Sequence, residues 1–194
     1  MSWWTTPIHK RNNFPDVLTI DHKIQIFYER VSGWQLDIAD KVINGFTDEK
    51  GKVIDGINGS GFAALNIMLS YFEMVAKYKD GYCETGKSPE YFEKGFKMVF
   101  PEFDVYPWLP EKIYKNARCG LYHHGMTEEG VILKGEGLPP ITPLDGEKLI
   151  INPHTLVLKL KAHLEKYIAE LRTDKNFQSK FEKRFDKDNT PPNP

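Results

Sequence analysis

Cysteine is scarce in this sequence, and its placement excludes a disulfide-stabilised protein. Cys83 and Cys119 are the only two among 194 residues, and they form neither a disulfide framework nor a Cys-x-x-Cys pair. Small domains that depend on disulfides carry more cysteines at closer spacing. Both thiols are therefore expected to be free, as in the proteins of a reducing compartment.

Long apolar runs are also absent. The first residues, MSWWTTPIHKRNNFP, contain no apolar run of signal-peptide length, and no later segment approaches the roughly 20 apolar residues of a membrane span. The sequence thus predicts a cytoplasmic protein with no membrane contact. Residues 1–19 are interpreted as an N-terminal arm, and Trp3 and Trp4 are expected to pack on the body because exposed tryptophans lower solubility.

An excess of charge of either sign is lacking as well. Lysine and arginine number 26 against 27 aspartates and glutamates, which gives a net charge of -1 and a sequence pI near 6.6. No global positive field surrounds such a chain, so it cannot hold a long nucleic-acid backbone over its whole surface. Any contact with RNA must therefore be local.

Apolar residues at helical spacing are the main pattern in the sequence. Hydrophobic residues are 40% of the chain, which is enough for one buried core, so a single domain is predicted over residues 20–173. Residues three and four apart share one face of a helix. Because this spacing recurs along the domain, the predicted fold class is mainly α, an up-and-down helical bundle.

The first predicted helix begins at Ile20, after Thr19 as a cap, and ends at Gly45. Gly33 lies inside it and can mark a kink, because glycine weakens a helix by up to about 1 kcal/mol relative to alanine. The apolar stripe consists of Ile20, Ile24, Phe27, Val31, Trp34, Ile38 and Val42. A polar, glycine-rich loop with a short strand near residues 52–54 follows.

The strongest predicted helix starts at Gly61, where Ser60 can cap it. Its apolar side consists of Phe62, Leu65, Leu69, Phe72 and Ala76. The next helix opens with the pair Ser88 and Pro89, since proline suits the first turn of a helix, and Pro101 stops it.

Two strand-like pieces, VIL and KLII, precede the last long helix, and a loop rich in proline and glycine separates them. They predict a small antiparallel β-hairpin with a long loop. Asn152 and Pro153 then cap the last long helix. His163 lies beside the apolar stripe of this helix and is expected to be packed or half exposed, not a ligand.

Residues 174–194 are assigned to a charged C-terminal tail that is partly disordered, because their composition is polar and ends in DNTPPNP. Phe177, Phe181 and Phe185 recur at steps of four within this tail. Their spacing indicates either a short docked helix or an interface stripe.

The most informative stretch is residues 113–126, IYKNARCGLYHHGM, which place an arginine, a cysteine and two histidines at the end of an amphipathic helix. This motif helix is predicted to begin at Glu111, after Pro110, and to end near His124, before Gly125. Its apolar stripe consists of Ile113, Ala117 and Leu121. Histidine exchanges protons near pH 7, and arginine holds phosphate in bidentate fashion, so the pair suits phosphate chemistry.

Arg118 is followed by His123 after four intervening residues and by His124 after five. An arginine, four to six residues and a histidine resemble the signature of HEPN domains, and the order of helices over residues 59–171 is similar to theirs. The resemblance implies a HEPN-like bundle that acts as a homodimer, in which the motifs of two subunits face each other. It also implies a metal-independent endoribonuclease of the toxin-antitoxin or phage-defence kind, without a cofactor, with an RNA substrate and an antitoxin partner.

By this resemblance the catalytic candidates are Arg118, His123 and His124, and the substrate-binding candidates are Asn116, Tyr122 and Glu73. A histidine would exchange the proton and Arg118 would stabilise the charge on the phosphate. Cys119 departs from the family pattern, in which a polar residue such as asparagine, aspartate or histidine follows the arginine. Many family members bind without cutting, so a non-catalytic module that binds a protein or a nucleotide is the alternative.

Other interpretations of the motif stay open. Arg118 can pair with a carboxylate while the two histidines end the helix and bond to backbone carbonyls. Cys119 and His123 are four residues apart and so adjacent on a helix, where they can act as a nucleophile and a base. A metal site built from Cys119, His123 and His124 is the remaining interpretation, although adjacent histidines point apart on a helix.

Overall fold

The computed structural model describes residues 6–9, 14–15, 17–82, 85–135 and 137–189. The helices are α1 (Ile20–Val31), α2 (Asp37–Asn44), α3 (Gly61–Asp80), α4 (Ser88–Val99), α5 (Leu109–Lys112), α6 (Gly120–His124), α7 (Pro153–Thr173) and α8 (Lys175–Asn189). The strands are β1 (Phe46–Thr47), β2 (Val53–Ile54), β3 (Val131–Leu133), β4 (Ile141–Leu144) and β5 (Lys148–Ile151). The fold class is mainly α, as predicted.

All eight helices and the sheet formed by β3, β4 and β5 contribute side chains to one hydrophobic core. Within the described residues, none of the helices is both long and apolar enough to cross a membrane. Trp3, Trp4 and Cys83 lie outside the described residues, so what is expected of them stays a prediction.

The first helix starts with the predicted cap, because the Thr19 side chain accepts a bond from the backbone of His22. A π-helical turn, Ser32–Leu36, then joins α1 to α2 and contains Gly33. A π turn holds one residue more than an α turn, so the buried positions after it move along the chain. Trp34 and Ile38, predicted on the apolar stripe, are accordingly 45% and 43% exposed. The residues buried in their place are Leu36, Ala39 and Ile43.

The described part of the N-terminal arm packs on α1. Thr6 Oγ1 donates to Glu29 Oε2 at 2.5 Å, and His9 Nδ1 lies 2.8 Å from the same oxygen. A Cβ at position 33 would lie 2.6 Å from Pro7 Cγ. Glycine at this position therefore lets the arm approach the π turn closely.

Helix α3 is the centre of the bundle, with Leu65, Leu69, Phe72 and Ala76 buried as predicted. Phe62, predicted on the same side, is 38% exposed. Ser60 lies at the N-cap but its side chain does not cap the helix, because its Oγ donates to the Val42 carbonyl oxygen at 3.1 Å.

Helix α4 lies against α3 at Gly95. A Cβ at this position would lie 1.7 Å from the Phe72 carbonyl oxygen, so the two backbones are as close as a glycine permits. Around this contact the rings of Phe72, Phe92, Phe96 and Phe100 pack together, with centroid separations between 5.2 and 6.2 Å. The absence of a side chain at position 95 therefore allows an aromatic core to form between α3 and α4.

The predicted antiparallel pairing of VIL with KLII is wrong. Both pieces are strands, β3 and β5, but they run parallel, with Val131 opposite Leu149. The reason is β4, which lies in the stretch predicted to be a loop and pairs antiparallel with β5 across a short turn. The extra strand reverses the chain once more, so β5 lies between β3 and β4. Pro143 is tolerated in β4 because an edge strand can lack one backbone donor.

The last two helices close the bundle. Asn152 caps α7 as predicted, since its side chain accepts a bond from the His154 backbone N–H at 3.1 Å. Helix α8 occupies most of the segment assigned to the charged tail, and it buries Phe177, Phe181 and Phe185 in the core. The docked helix is thus the correct one of the two interpretations of this phenylalanine stripe, while residues 190–194 lie outside the described part.

We predict that Gly95→Ala destabilises the protein by about 3 kcal/mol, because the added Cβ forces α3 and α4 apart. Alanine in place of glycine within an exposed helix instead stabilises by up to about 1 kcal/mol. Urea unfolding followed by circular dichroism measures the change. Lys97→Ala, an exposed position on the same helix, is the control, and equal stability of the Gly95→Ala variant and the parent would contradict the close packing.

Candidate functional site

The motif helix runs from residue 109 to residue 124, as α5, a π-helical turn (Ile113–Cys119) and α6. It ends at Gly125, whose φ of 73° is the left-handed conformation that glycine adopts readily at the end of a helix. Ile113, Ala117 and Leu121 are buried, which confirms the predicted stripe. The π turn contains Arg118, and such turns occur often at functional sites.

Contacts on two sides hold the motif helix in place. On one side the Tyr114 ring packs edge-on against Phe92 of α4, with 5.3 Å between centroids. On the other side the chain after Gly125 folds back along the helix, where the Glu128 N–H donates to the Asn116 carbonyl oxygen at 2.7 Å. The orientation of the motif therefore depends on α4 and on this returning loop.

Asn116, a candidate for substrate binding, has its side chain engaged in this returning loop. Its Nδ2 donates to the Glu129 carbonyl oxygen at 2.9 Å. Glu73, another candidate, is also engaged: its Oε1 accepts from Ser88 Oγ at 2.7 Å and pairs with Lys77. Both side chains thus stabilise the scaffold, because they join separate segments.

Arg118 lies against Tyr122, one turn further along the helix. The guanidinium carbon is 5.2 Å from the centre of the Tyr122 ring, which is a cation–π contact. Arg118 is half-buried and Tyr122 is 68% exposed. In the part of the chain that the structure describes, Arg118 forms no ion pair, so the alternative in which a carboxylate neutralises it finds no support.

His123 and His124 are exposed on the last turn of α6. The His123 ring packs edge-on against Tyr122, with 5.1 Å between centroids, and lies 6.3 Å from the His124 ring. Tyr122 therefore touches both Arg118 and His123, and the four side chains form one row, which we call the motif row (Arg118, Tyr122, His123 and His124). His124 Nε2 lies 3.5 Å from Glu128 Oε1, a long contact between exposed groups.

Helical geometry keeps Arg118 and His123 apart within one chain. Residues four apart share a side, as Arg118 and Tyr122 do, whereas residues five apart differ by about 140° around the axis. The motif row thus presents the arginine and the histidine on either side of an aromatic ring.

Cys119 is half-buried, with a free thiol. Burial raises the pKa of the neighbouring Tyr114, and the nearby Cys119 and Glu73 add to this rise. Across the described residues, no group of three or more histidine, cysteine, aspartate or glutamate side chains is placed to hold a metal ion. The alternative metal site of Cys119 with the two histidines therefore has no geometry in its favour.

A cleft of about 280 Å³ lies between α4 and the start of the motif helix. Its lining consists of Pro89, Glu90, Glu93, Glu111, Tyr114 and Lys115. Two of the three carboxylates are paired, Glu93 with Lys97 at 2.7 Å and Glu111 with Lys115 at 2.5 Å. Among the described residues, Glu90 is therefore the one carboxylate of this cleft without an ion pair.

His163 is packed, as predicted. Its Nδ1 lies 2.8 Å from the Tyr71 hydroxyl, and burial lowers the pKa of the imidazole to about 4. This histidine is therefore neutral near pH 7 and belongs to the interior of the bundle, away from the motif row.

Comparisons of the chain with protein-family models, with curated proteins and with solved structures gave no match. The HEPN-like character of the bundle therefore stays a prediction that rests on the residues of the motif.

We predict that lowering the pH from 7 to 5 destabilises the protein partly through His163. The unfolded chain takes up a proton on this imidazole near pH 6.5, whereas the folded protein takes it up only near pH 4. Protonation thus favours the unfolded state, and the loss between pH 7 and pH 5 is about 2 kcal/mol. Urea unfolding at both pH values measures it. His163→Gln should lose less stability over this interval, and an identical loss in both proteins would exclude the buried neutral histidine.

Proposed function

We propose that this protein is a HEPN-like, metal-independent endoribonuclease of the toxin-antitoxin or phage-defence type, which acts as a homodimer. The observation that carries the proposal is the motif row. Its arginine, tyrosine and histidines contact one another at the surface, whereas structural histidines such as His163 are bonded in the interior. Exposed cationic and aromatic side chains in contact are suited to bind the phosphate and the base of a nucleotide.

Each member of the motif row has a role in this proposal. Arg118 binds the scissile phosphate and stabilises the negative charge that gathers on it. Tyr122 stacks on a base beside the cleaved bond. His123 takes the proton from the ribose 2′-hydroxyl, whose oxygen forms a bond to the phosphorus, while the bond from phosphorus to the 5′-oxygen breaks. His124 gives a proton to the leaving 5′-oxygen.

A second subunit supplies what one row lacks. Within one chain Arg118 and His123 lie on either side of Tyr122, so a phosphate bound to one arginine is reached more readily by a histidine of a facing row. The resemblance to HEPN domains implies such a pair of facing motifs. An antitoxin protein that covers the row would silence the enzyme.

A non-catalytic module that binds a protein or a nucleotide is the second candidate. Cys119 favours it, because it stands where the family pattern has a polar residue. The cleft between α4 and the motif helix also favours it, because the lysine that lines it, Lys115, is paired with Glu111 and so offers little to a phosphate. In this candidate the row binds its partner and does no chemistry.

Cleavage of a labelled, unstructured RNA in the presence of EDTA tests the catalytic proposal. We expect the parent protein to cut it, and Arg118→Ala and His123→Ala each to slow cleavage by about 100-fold or more, because each removes a group that acts in the transition state. His124→Ala shows whether the second histidine is the proton donor. Lys115→Ala, at an exposed position of the same helix, should cut at the parental rate.

Intact RNA after prolonged incubation with the parent protein would exclude the nuclease. If the parent then still binds a partner or a nucleotide and Arg118→Ala does not, the non-catalytic module is the correct candidate.

A further inference from the structure

Helix α8 presents three chemically distinct faces. Phe177, Phe181 and Phe185 fill the core. A second face carries Glu182 and Asp186, which both pair with Lys23 of α1, at 2.6 and 2.8 Å. The third face carries the lysines at positions 180, 183 and 187, all exposed. Steps of three and four place these lysines in one line along the helix.

The line of lysines lies beside an exposed aromatic ring. Lys183 Nζ and Lys187 Nζ are each 5.8 Å from the centre of the Tyr82 ring, which is 53% exposed. Lys180 lies where α3 ends, since a Cβ on Gly81 would be 2.6 Å from the Lys180 carbonyl oxygen. This close contact, which glycine at a φ of 72° permits, holds Tyr82 against α8.

The lysine line carries uncompensated charge. Lys180, Lys183 and Lys187 form no ion pair with any residue that the structure describes, because the carboxylates of α8 serve Lys23 and Arg184. Three cations held close together repel one another. A bound polyanion reduces this repulsion, so its binding is favoured.

The surface continues onto α4. A cleft of about 290 Å³ there is lined by Lys87, Glu90, Tyr91 and Lys94. The Tyr91 hydroxyl donates to the Tyr82 carbonyl oxygen at 2.8 Å, so the two tyrosines belong to one assembly. Lys94 pairs with Asp80 at 2.5 Å and also lies 5.5 Å from the Tyr91 ring. We call the three lysines of α8 together with Tyr82 and this cleft the lysine–tyrosine surface.

We infer that the lysine–tyrosine surface binds single-stranded nucleic acid. Successive lysines along a helix follow a phosphate backbone, and an exposed tyrosine beside them offers a face on which a base stacks. The flexible single strand is favoured over a duplex because its bases are free to stack on Tyr82. A chain with a net charge of -1 thereby concentrates positive charge at one place.

The inferred binding adds a second contact with RNA to the proposed function. It does not require that the protein cleaves RNA. The lysine–tyrosine surface and the cleft beside the motif helix both include Glu90, so the two adjoin on α4.

Binding of a fluorescent 12-nucleotide oligouridine to the full chain tests the inference, by anisotropy at several salt concentrations. The charge-reversal variant Lys180→Glu/Lys183→Glu/Lys187→Glu should bind at least about 30-fold more weakly, and the slope of log K against log salt should fall by about 2 in magnitude, since about three phosphate contacts are lost. Tyr82→Ala should weaken binding about tenfold, whereas Tyr82→Phe keeps the stacking face and the affinity.

The matched control is Lys50→Glu/Lys52→Glu/Lys148→Glu, which changes the net charge equally at exposed positions on β5 and on the loop between β1 and β2. Parental affinity in this control together with weak binding by the α8 variant supports the inference. Equal weakening in both variants, or equal binding of polyglutamate and oligouridine, overturns it, because the attraction is then only net charge.

Cleavage by the same variants separates this inference from the proposed nuclease. If the parent does not cut RNA and the α8 lysines still determine binding, the nuclease fails and the nucleic-acid surface stands. If the parent cuts RNA and the α8 variant binds like the parent, the surface fails and the nuclease stands.

Discussion

Packing of α4 against α3 requires that position 95 has no side chain, because the Phe72 carbonyl oxygen occupies the place where a Cβ would lie. This contact sets the distance between the two helices and brings Phe92 and Phe96 onto the Phe72 ring. The Tyr114 ring of the motif helix packs against Phe92, so α4 helps to orient the motif helix. The close contact at Gly95 is thus linked to the motif helix through the rings of Phe92 and Tyr114.

Two π turns adjust the bundle at its edges. The turn at Ser32–Leu36 changes which residues of the first helix are buried, and it leaves Trp34 at the surface beside Arg30. The turn at Ile113–Cys119 contains Arg118 and precedes the row in which Tyr122 links the arginine to His123. Insertion of a residue costs regular backbone bonds, so such turns persist where the tertiary structure supports them.

Charge in this protein is separated by surface, not by domain. Two of the three carboxylates in the cleft beside the motif helix are paired with lysines, whereas the lysines on one face of α8 have no ion-pair partner in the described chain. The near-neutral total therefore hides a local concentration of positive charge. This separation reconciles a proposed role in RNA chemistry with a net charge of -1, because phosphate contacts depend on local charge.

Apolar periodicity determined most of the helices and the buried stripe of the motif helix, since apolar burial follows local spacing. The residue types at Thr19 and Asn152 determined their caps, because these side chains can accept from the first backbone N–H groups of a helix. Tertiary structure decided what spacing cannot encode. The parallel pairing of β3 and β5 depends on β4, a strand in a stretch whose prolines and glycines predict a loop. The charged composition of α8 predicts a tail, yet the segment is a docked helix because three of its phenylalanines are buried in the core. Asn116 and Glu73 are scaffold residues because their partners lie in other segments and meet them only in the folded chain.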